Sequence, residues 1–256
     1  MTNQWPPLVA VGLAAAGFVS GWVDSIAGGG GLISVPALLA TGLPTATVLG
    51  TNKVAASFGS STSALRYGRA GHVKKIAWPM AALAFCASAT GARLAIALPD
   101  KILNQIIVVA LLVVTFITIF RRDFGKTARP WRFRRRWYAL VACCCALSIG
   151  FYDGLIGPGT GSFLAFSFVA LLGADFLSAT GSTKVINFST NLAAALLFAI
   201  GRHVDWLYAL PMGLGILAGA YVGSGMALRN GSRFIRPIFV GVALALGVKL
   251  VLSLHK

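Results

Sequence analysis

Apolar residues in this chain fall into runs of about 20, the length an α-helix needs to cross the ~30 Å hydrocarbon core of a bilayer. Short polar or glycine-rich interruptions separate the runs. The pattern predicts full spans over about 8–26, 76–97, 102–120, 137–156, 206–227 and 234–254. Two further segments, about 46–67 and 176–200, are long enough to cross but carry a stripe of hydroxyl, amide and lysine side chains. Two apolar pieces, about 32–40 and 162–172, are too short to cross alone at ~1.5 Å per residue. Each short piece follows a glycine break, because clustered glycines hold a helix only at large entropic cost. The breaks are Gly28-Gly29-Gly30-Gly31 and Gly157-Pro158-Gly159-Thr160-Gly161. The strict alternation of a transmembrane barrel is missing from these runs.

The interruptions recur in order. Asp24 stands before the first glycine break as Asp153 stands before the second, and the interval between the aspartates equals that between Gly28 and Gly157. At a slightly longer interval, Gly50-Thr51-Asn52-Lys53 is echoed by Gly181-Ser182-Thr183-Lys184, and His72-Val73 by His203-Val204. The chain therefore reads as two related halves, 1–120 and 137–256, joined by a linker at 121–136. The linker holds eight basic side chains between Arg121 and Arg136.

Composition agrees with the pattern. The chain has 256 residues, 57% hydrophobic and 11% charged, where a soluble domain carries about 25% charged residues. Mean hydropathy is +0.81. The fold class expected is all-α, a polytopic transmembrane bundle of two internal repeats. The net charge of +16 comes from 22 Lys+Arg against 6 acidic residues. The excess sits in short loops at 66–75, 121–136 and 228–233, which suits cytoplasmic loops facing anionic lipid and not a nucleic-acid partner. With those loops on one side the halves are inverted, with broken or short helices at their interface, a common transporter plan. Re-entrant short elements would instead make the halves parallel. Tryptophans and tyrosines near span ends form an aromatic belt. The amino-terminal run lacks a positive n-region and is expected to be a retained span.

Chemistry concentrates inside the apolar segments. Lys53 and Lys184 are costly there, at least about 3 kcal/mol each on insertion scales. They either converge to attract an anion or form structural pairs with Asp24 and Asp153. The aspartates could also hold a coupling cation, carry a proton or cap a helix. Helix restarts after Gly28, Gly29 and Gly30, and after Gly157 and Gly159, present backbone N–H groups and a positive dipole end suited to anions. Thr51, Asn52, Ser182, Thr183 and Asn187 would hydrogen-bond oxyanion oxygens or neighbouring helices. The second break lacks the GK[ST] ending of a nucleotide-binding loop. Cys86, Cys143, Cys144 and Cys145 lie within apolar runs without ligand spacing and read as small packing residues. His72 and His203 read as interfacial. No nucleophile-base set appears, so an enzyme is not expected, and neither a metal nor a cofactor is assigned. Oligomeric state is not determined at this level.

These motifs together resemble the sulfite exporter TauE/SafE family. The likeness rests on Asp24 with the glycines at 28–31 and Pro36, on Gly50 to Lys53, and on Asp153 to Gly161 and Gly181 to Lys184 with Asn187. It runs over roughly 8–254. The resemblance implies a multi-pass permease of the bacterial inner membrane that moves a small anion, often a sulfur oxyanion or organosulfonate. Its partners would be that solute and the lipid bilayer. The alternative is a cation-coupled or cation-selective carrier with Asp24 and Asp153 as primary ligands.

Overall fold

The computed structural model of the chain describes residues 7–120 and 135–231. Within them the ordered elements are helical. They are α1 (Pro7–Ala27), α2 (Gly31–Leu39), α3 (Thr45–Arg69), α4 (Ala77–Ala97), α5 (Asp100–Phe120), α6 (Arg135–Leu155), α7 (Thr160–Phe166), α8 (Phe176–Ile200) and α9 (Trp206–Asn230). A π-helical turn, Ser167–Leu171, prolongs α7. Five of the helices, α1, α4, α6, α8 and α9, contain a stretch long and apolar enough to cross a membrane. The linker expected at 121–136 lies outside the described residues up to 134, and so does the span expected at 234–254.

Glycine and small residues set the helix contacts, as they do where lipid removes any hydrophobic drive between helices. Gly215 and Gly219 of α9 rest on the backbone of Ala14 and Phe18, and Gly223 on Trp22, so α1 and α9 run parallel. Gly150 and Gly154 of α6 rest on Ala84 and Ser88, so α4 and α6 also run parallel. Gly50 near the start of α3 meets Phe198 near the end of α8, and Gly181 near the start of α8 meets Tyr67 near the end of α3. Those two central helices are antiparallel.

Short polar contacts gather the helix ends into two groups. At one end the Lys74 N–H donates to Ser182 Oγ at 2.9 Å, and Lys74 Nζ lies 3.8 Å from Asp175 Oδ2. Arg66, Arg69, Lys75 and Arg229 belong to this basic end. At the other end the Asp205 N–H donates to Thr51 Oγ1 at 3.0 Å, and the Ala46 N–H to Asp100 Oδ1 at 3.3 Å. Helices α1 and α3 therefore run toward the basic end, and α6 and α8 away from it.

The short elements are return arms. Leu13 of α1 shares an apolar cluster with Val35 and Leu38 of α2, which places α2 back alongside α1. Helices α1 and α2 form a hairpin entered from the end opposite the basic one. Helices α6 and α7 form a hairpin entered from the basic end. The two hairpins therefore enter from opposite ends, and α3, α4 and α5 run alternately between those ends before α6 begins.

The distribution of polarity is inside-out. Leu8, Leu140, Leu147, Leu207 and Leu214 are exposed on outward faces, whereas Lys53, Lys184, Asn52, Asn187 and Asp153 are buried. Water would penalise this arrangement and lipid requires it. Trp78 and Trp137 near the basic end and Trp206 near the other are exposed, at the levels where interfacial aromatics sit. Cys86 and Cys144 are exposed and Cys143 and Cys145 half-buried, so two of the four face outward instead of packing inside.

Candidate functional site

The two hairpin tips meet in the centre of the bundle. Gly28 has φ +79 and Gly157 φ +94, left-handed values that let the chain turn back without a Cβ penalty. A Cβ on Gly28 would run into the Gly161 carbonyl carbon, so glycine is also needed for the approach of the tips. The Ser162 N–H donates across the junction to the Gly28 carbonyl at 3.1 Å, and Ser162 Oγ donates to the Ala27 carbonyl at 3.2 Å.

Two ion pairs cross between the polar central helices and the hairpins. Lys53 Nζ on α3 lies 2.8 Å from Asp153 Oδ1 at the end of α6. It also donates to Asn191 Oδ1 on α8 at 3.2 Å. Lys184 Nζ on α8 lies 2.9 Å from Asp24 Oδ2 at the end of α1 and donates to the Asp24 backbone carbonyl. Each lysine thus pairs with the aspartate of the other motif set, at a break far away in sequence.

The pairs differ in surroundings. The Lys184 side chain is fully buried while that of Asp24 keeps 26% exposure; those of Lys53 and Asp153 keep 2% and 5%. A polar cavity of about 40 Å³ opens where the tips meet the central helices. Helices α1 and α2 supply Ser20, Asp24 and Ser34, and the breaks supply Gly28, Gly30, Gly31, Gly157 and Gly159. Helix α3 supplies Asn52, Lys53 and Ala56. The second hairpin adds Asp153, Thr160 and Gly161, and α8 adds Asn187 and Asn191. At ~30 Å³ per water molecule in the liquid, it holds only water-sized groups.

Three wall atoms lack a protein partner: Asn52 Oδ1, Asp153 Oδ2 and Asn187 Oδ1. Their residues are 5%, 3% and 5% exposed. Unpartnered buried oxygens are rare in native interiors, and these three lie on one small cavity.

Sequence reasoning gathered most of this wall. Lys53, Asn52, Asn187, Gly28, Gly30, Gly157, Gly159, Asp24 and Asp153 all line the cavity. Other candidates sit elsewhere. Lys184 is turned to Asp24 and does not line it. Thr51 and Ser182 are fully buried and accept N–H groups of the helix turns at Asp205 and Lys74. Gly50 and Gly181 beside them face the His203 and His72 carbonyls, where a Cβ would not fit. Thr183 is buried away from the wall, and Gly29 is not part of it. The restart N–H groups are largely engaged: that of Gly30 donates to Asp24 Oδ1 at 3.3 Å, and those of Ser34 and Phe163 to the Gly30 and Gly159 carbonyls. Interrupted helix ends inside a membrane protein satisfy their backbone groups internally. Ser20, Ser34 and Thr160 enter the wall without having been singled out as site residues. Asn191, two helical turns beyond Lys184 on the same polar stripe, lines it as the stripe suggested; Ser20 and Ser34 gave no signal.

Beyond the bilayer, Asp175 caps α8. Partial burial works to raise its carboxyl, but the Ser178 hydrogen bonds and Lys74 hold it below the usual carboxylate range. Among the described residues no group of three or more His, Cys, Asp or Glu side chains is placed to hold a metal.

An inside-out helical bundle with opposed hairpins defines a multi-pass membrane protein built around a charged central cavity. The chain belongs to the sulfite exporter TauE/SafE family, whose profile matches residues 13–250, and it is a membrane transporter of that family. It is 40% identical over 240 residues to "Probable membrane transporter protein ORF9" of Sinorhizobium sp, covering 93% of this chain and 91% of the relative. It is 36% identical over 241 residues to a "Probable membrane transporter protein" of Haemophilus influenzae, with 93% of each chain covered. It is 34% identical over 250 residues to "Probable membrane transporter protein YfcA" of Escherichia coli, covering 97% and 92%. No solved structure matches the chain.

Proposed function

We propose that the protein moves a small anion, a sulfur-containing oxyanion or organosulfonate, across the bacterial inner membrane by alternating access. The observation that carries this reading is the Lys53 ammonium, nearly sealed from solvent on the wall of a cavity between two helix breaks. A buried cation is expensive unless an anion neutralises it; Asp153 does so in this conformation, and a solute anion would take its place. Asn52, Asn187, Asn191 and Thr160 supply neutral groups around it. Thr51 and Ser182 hold the helices that carry the lysines, and Lys184 keeps Asp24 in place.

Opposed hairpins and crossed pairs support two inverted repeats, with the basic end cytoplasmic by the excess of Lys and Arg. The cavity of about 40 Å³ is tight for an organosulfonate, so it would have to widen to admit one. Rocking the hairpins apart at Gly28 and Gly161 would widen it toward either side.

The test is flux of sulfite, thiosulfate, methanesulfonate and sulfate into proteoliposomes. Wild-type protein should carry at least one of them, and the paired variant Lys53→Met with Asp153→Asn, which leaves no charge unmatched, should carry none. Undiminished flux in that variant ends the anion reading. A cation-selective carrier is the second reading, favoured by the three unpartnered oxygens. Sodium or potassium flux without any anion requirement would select it.

A further inference from the structure

The two ion pairs share one plan, and both aspartates line the cavity, yet only Asp153 keeps a carboxylate oxygen without a partner. Both Asp24 oxygens are engaged, by the Gly30 N–H and by Lys184. Asp153 holds Lys53 through Oδ1 alone, and its Oδ2 is buried without a partner. We propose that Asp153 Oδ2 is a proton site linked to anion binding at Lys53, so that one proton enters with each monoanion. The inference rests on the anion reading and adds what accompanies the anion.

Charge balance supplies the argument. The empty cavity holds Lys53 and Asp153 as a neutral couple, with Asp24 neutralised by Lys184. A monoanion entering alone would leave one uncompensated negative charge in a low-dielectric interior, which is strongly disfavoured. A proton from water in the cavity, bonding to Asp153 Oδ2, removes that charge. The Lys53 ammonium then exchanges its carboxylate partner for the anion and remains protonated throughout. The neutral acid gains an O–H donor where an acceptor stood, so the same oxygen turns from repelling the anion to hydrogen-bonding it. Asn52 and Asn187 serve either state, since an amide presents oxygen or NH₂ by rotation.

The groups facing Asp153 are few. Lys53 comes from α3, Asn187 and Asn191 from α8 are neutral, and Asp24 of α1 lies on the same wall. Tyr152, its neighbour on α6, is turned to the Pro158 carbonyl, to which its hydroxyl donates at 2.7 Å. Lys184 is held by Asp24. No other titratable side chain lines the cavity among the described residues.

The experiment uses full-length protein in lipid nanodiscs titrated calorimetrically with methanesulfonate, a monoanion, and with the dianions thiosulfate and sulfate; none takes a proton near neutrality. Repeating each titration in buffers of different ionisation heat counts protons on the wild type, whether or not any variant folds. The expected result is uptake of one proton per bound monoanion and an affinity that weakens about tenfold per unit of rising pH. The infrared carbonyl band of a neutral carboxylic acid should appear with the anion. Asp153→Asn should bind without proton uptake, pH dependence or that band, while Asp175→Asn, at a position that does not line the cavity, should keep all three. Binding by wild type with no proton taken up overturns the proton site and leaves the anion reading standing. Binding that requires sodium in place of a proton does the same. Failure of every probe to bind at any pH overturns both.

Discussion

Lys53 Nζ stands 2.8 Å from Asp153 Oδ1, across the junction between a central helix and the tip of the second hairpin. The contact ties the proposed anion site to the packing of the bundle. A substitution that removes one charge alone therefore tests two things at once.

Lys53→Ala should cost about 3–5 kcal/mol of stability by leaving Asp153 buried and unpaired, whereas replacing both partners with neutral side chains of similar size should be nearly neutral. Thermal unfolding followed by a thiol-reactive dye in detergent compares the two. Equal melting temperatures for the single and double variants would contradict the buried pair.

Gly28→Ala should unfold or inactivate the protein. The left-handed backbone costs about 1–2 kcal/mol with a Cβ, and the added carbon collides with Gly161. Gly29→Ala is the control, because its Cβ would meet only Leu32 and Val23 side chains at 3.7 and 3.9 Å. Comparable expression and flux for both variants would mean that the tips do not touch.

Thr51→Val and Ser182→Ala separate helix-holding from solute contact. Each removes the acceptor of an N–H in a helix turn, which costs about 1–3 kcal/mol where the group is left unsatisfied. Lower melting temperatures with unchanged KM are expected. A raised KM at full stability would return these residues to the solute site.

Asp175→Ala should cost about 0.5–2 kcal/mol through loss of the α8 cap. The wild-type carboxyl lies below its ordinary value, pulled down by Ser178 and Lys74 against the opposing effect of burial. Its contribution is therefore present above the unfolded carboxylate pKa and disappears as pH falls through the folded one. Melting temperature against pH should drop on that acid side in wild type and less steeply in the variant.

Much of the architecture was legible locally. Leu8 to Ala27 is an apolar run of membrane length, and the glycines at 28–31 end it because a helix there is entropically expensive. The same logic placed α2 and α7, whose brevity follows from Gly42-Leu43-Pro44 and Gly173. The cost of a cation in hydrocarbon picked out Lys53 and Lys184 without any structure. Thr51 and Ser182 were read as solute ligands because a hydroxyl on a polar stripe looks the same whether it faces a cavity or a neighbouring turn.

What the sequence by itself determined is where helices begin, where they break and which side chains are too polar for lipid, since these depend on neighbours along the chain. Only the tertiary structure decided that Lys53 pairs with Asp153 and Lys184 with Asp24, that Lys184 is withdrawn from the cavity, and that one Asp153 oxygen is left open. Those outcomes depend on the approach of backbones at Gly28 and Gly161 and on the crossing of α3 and α8. Ion pairing falls off steeply with distance and desolvation, so partners are chosen by packing between segments and not by spacing within them.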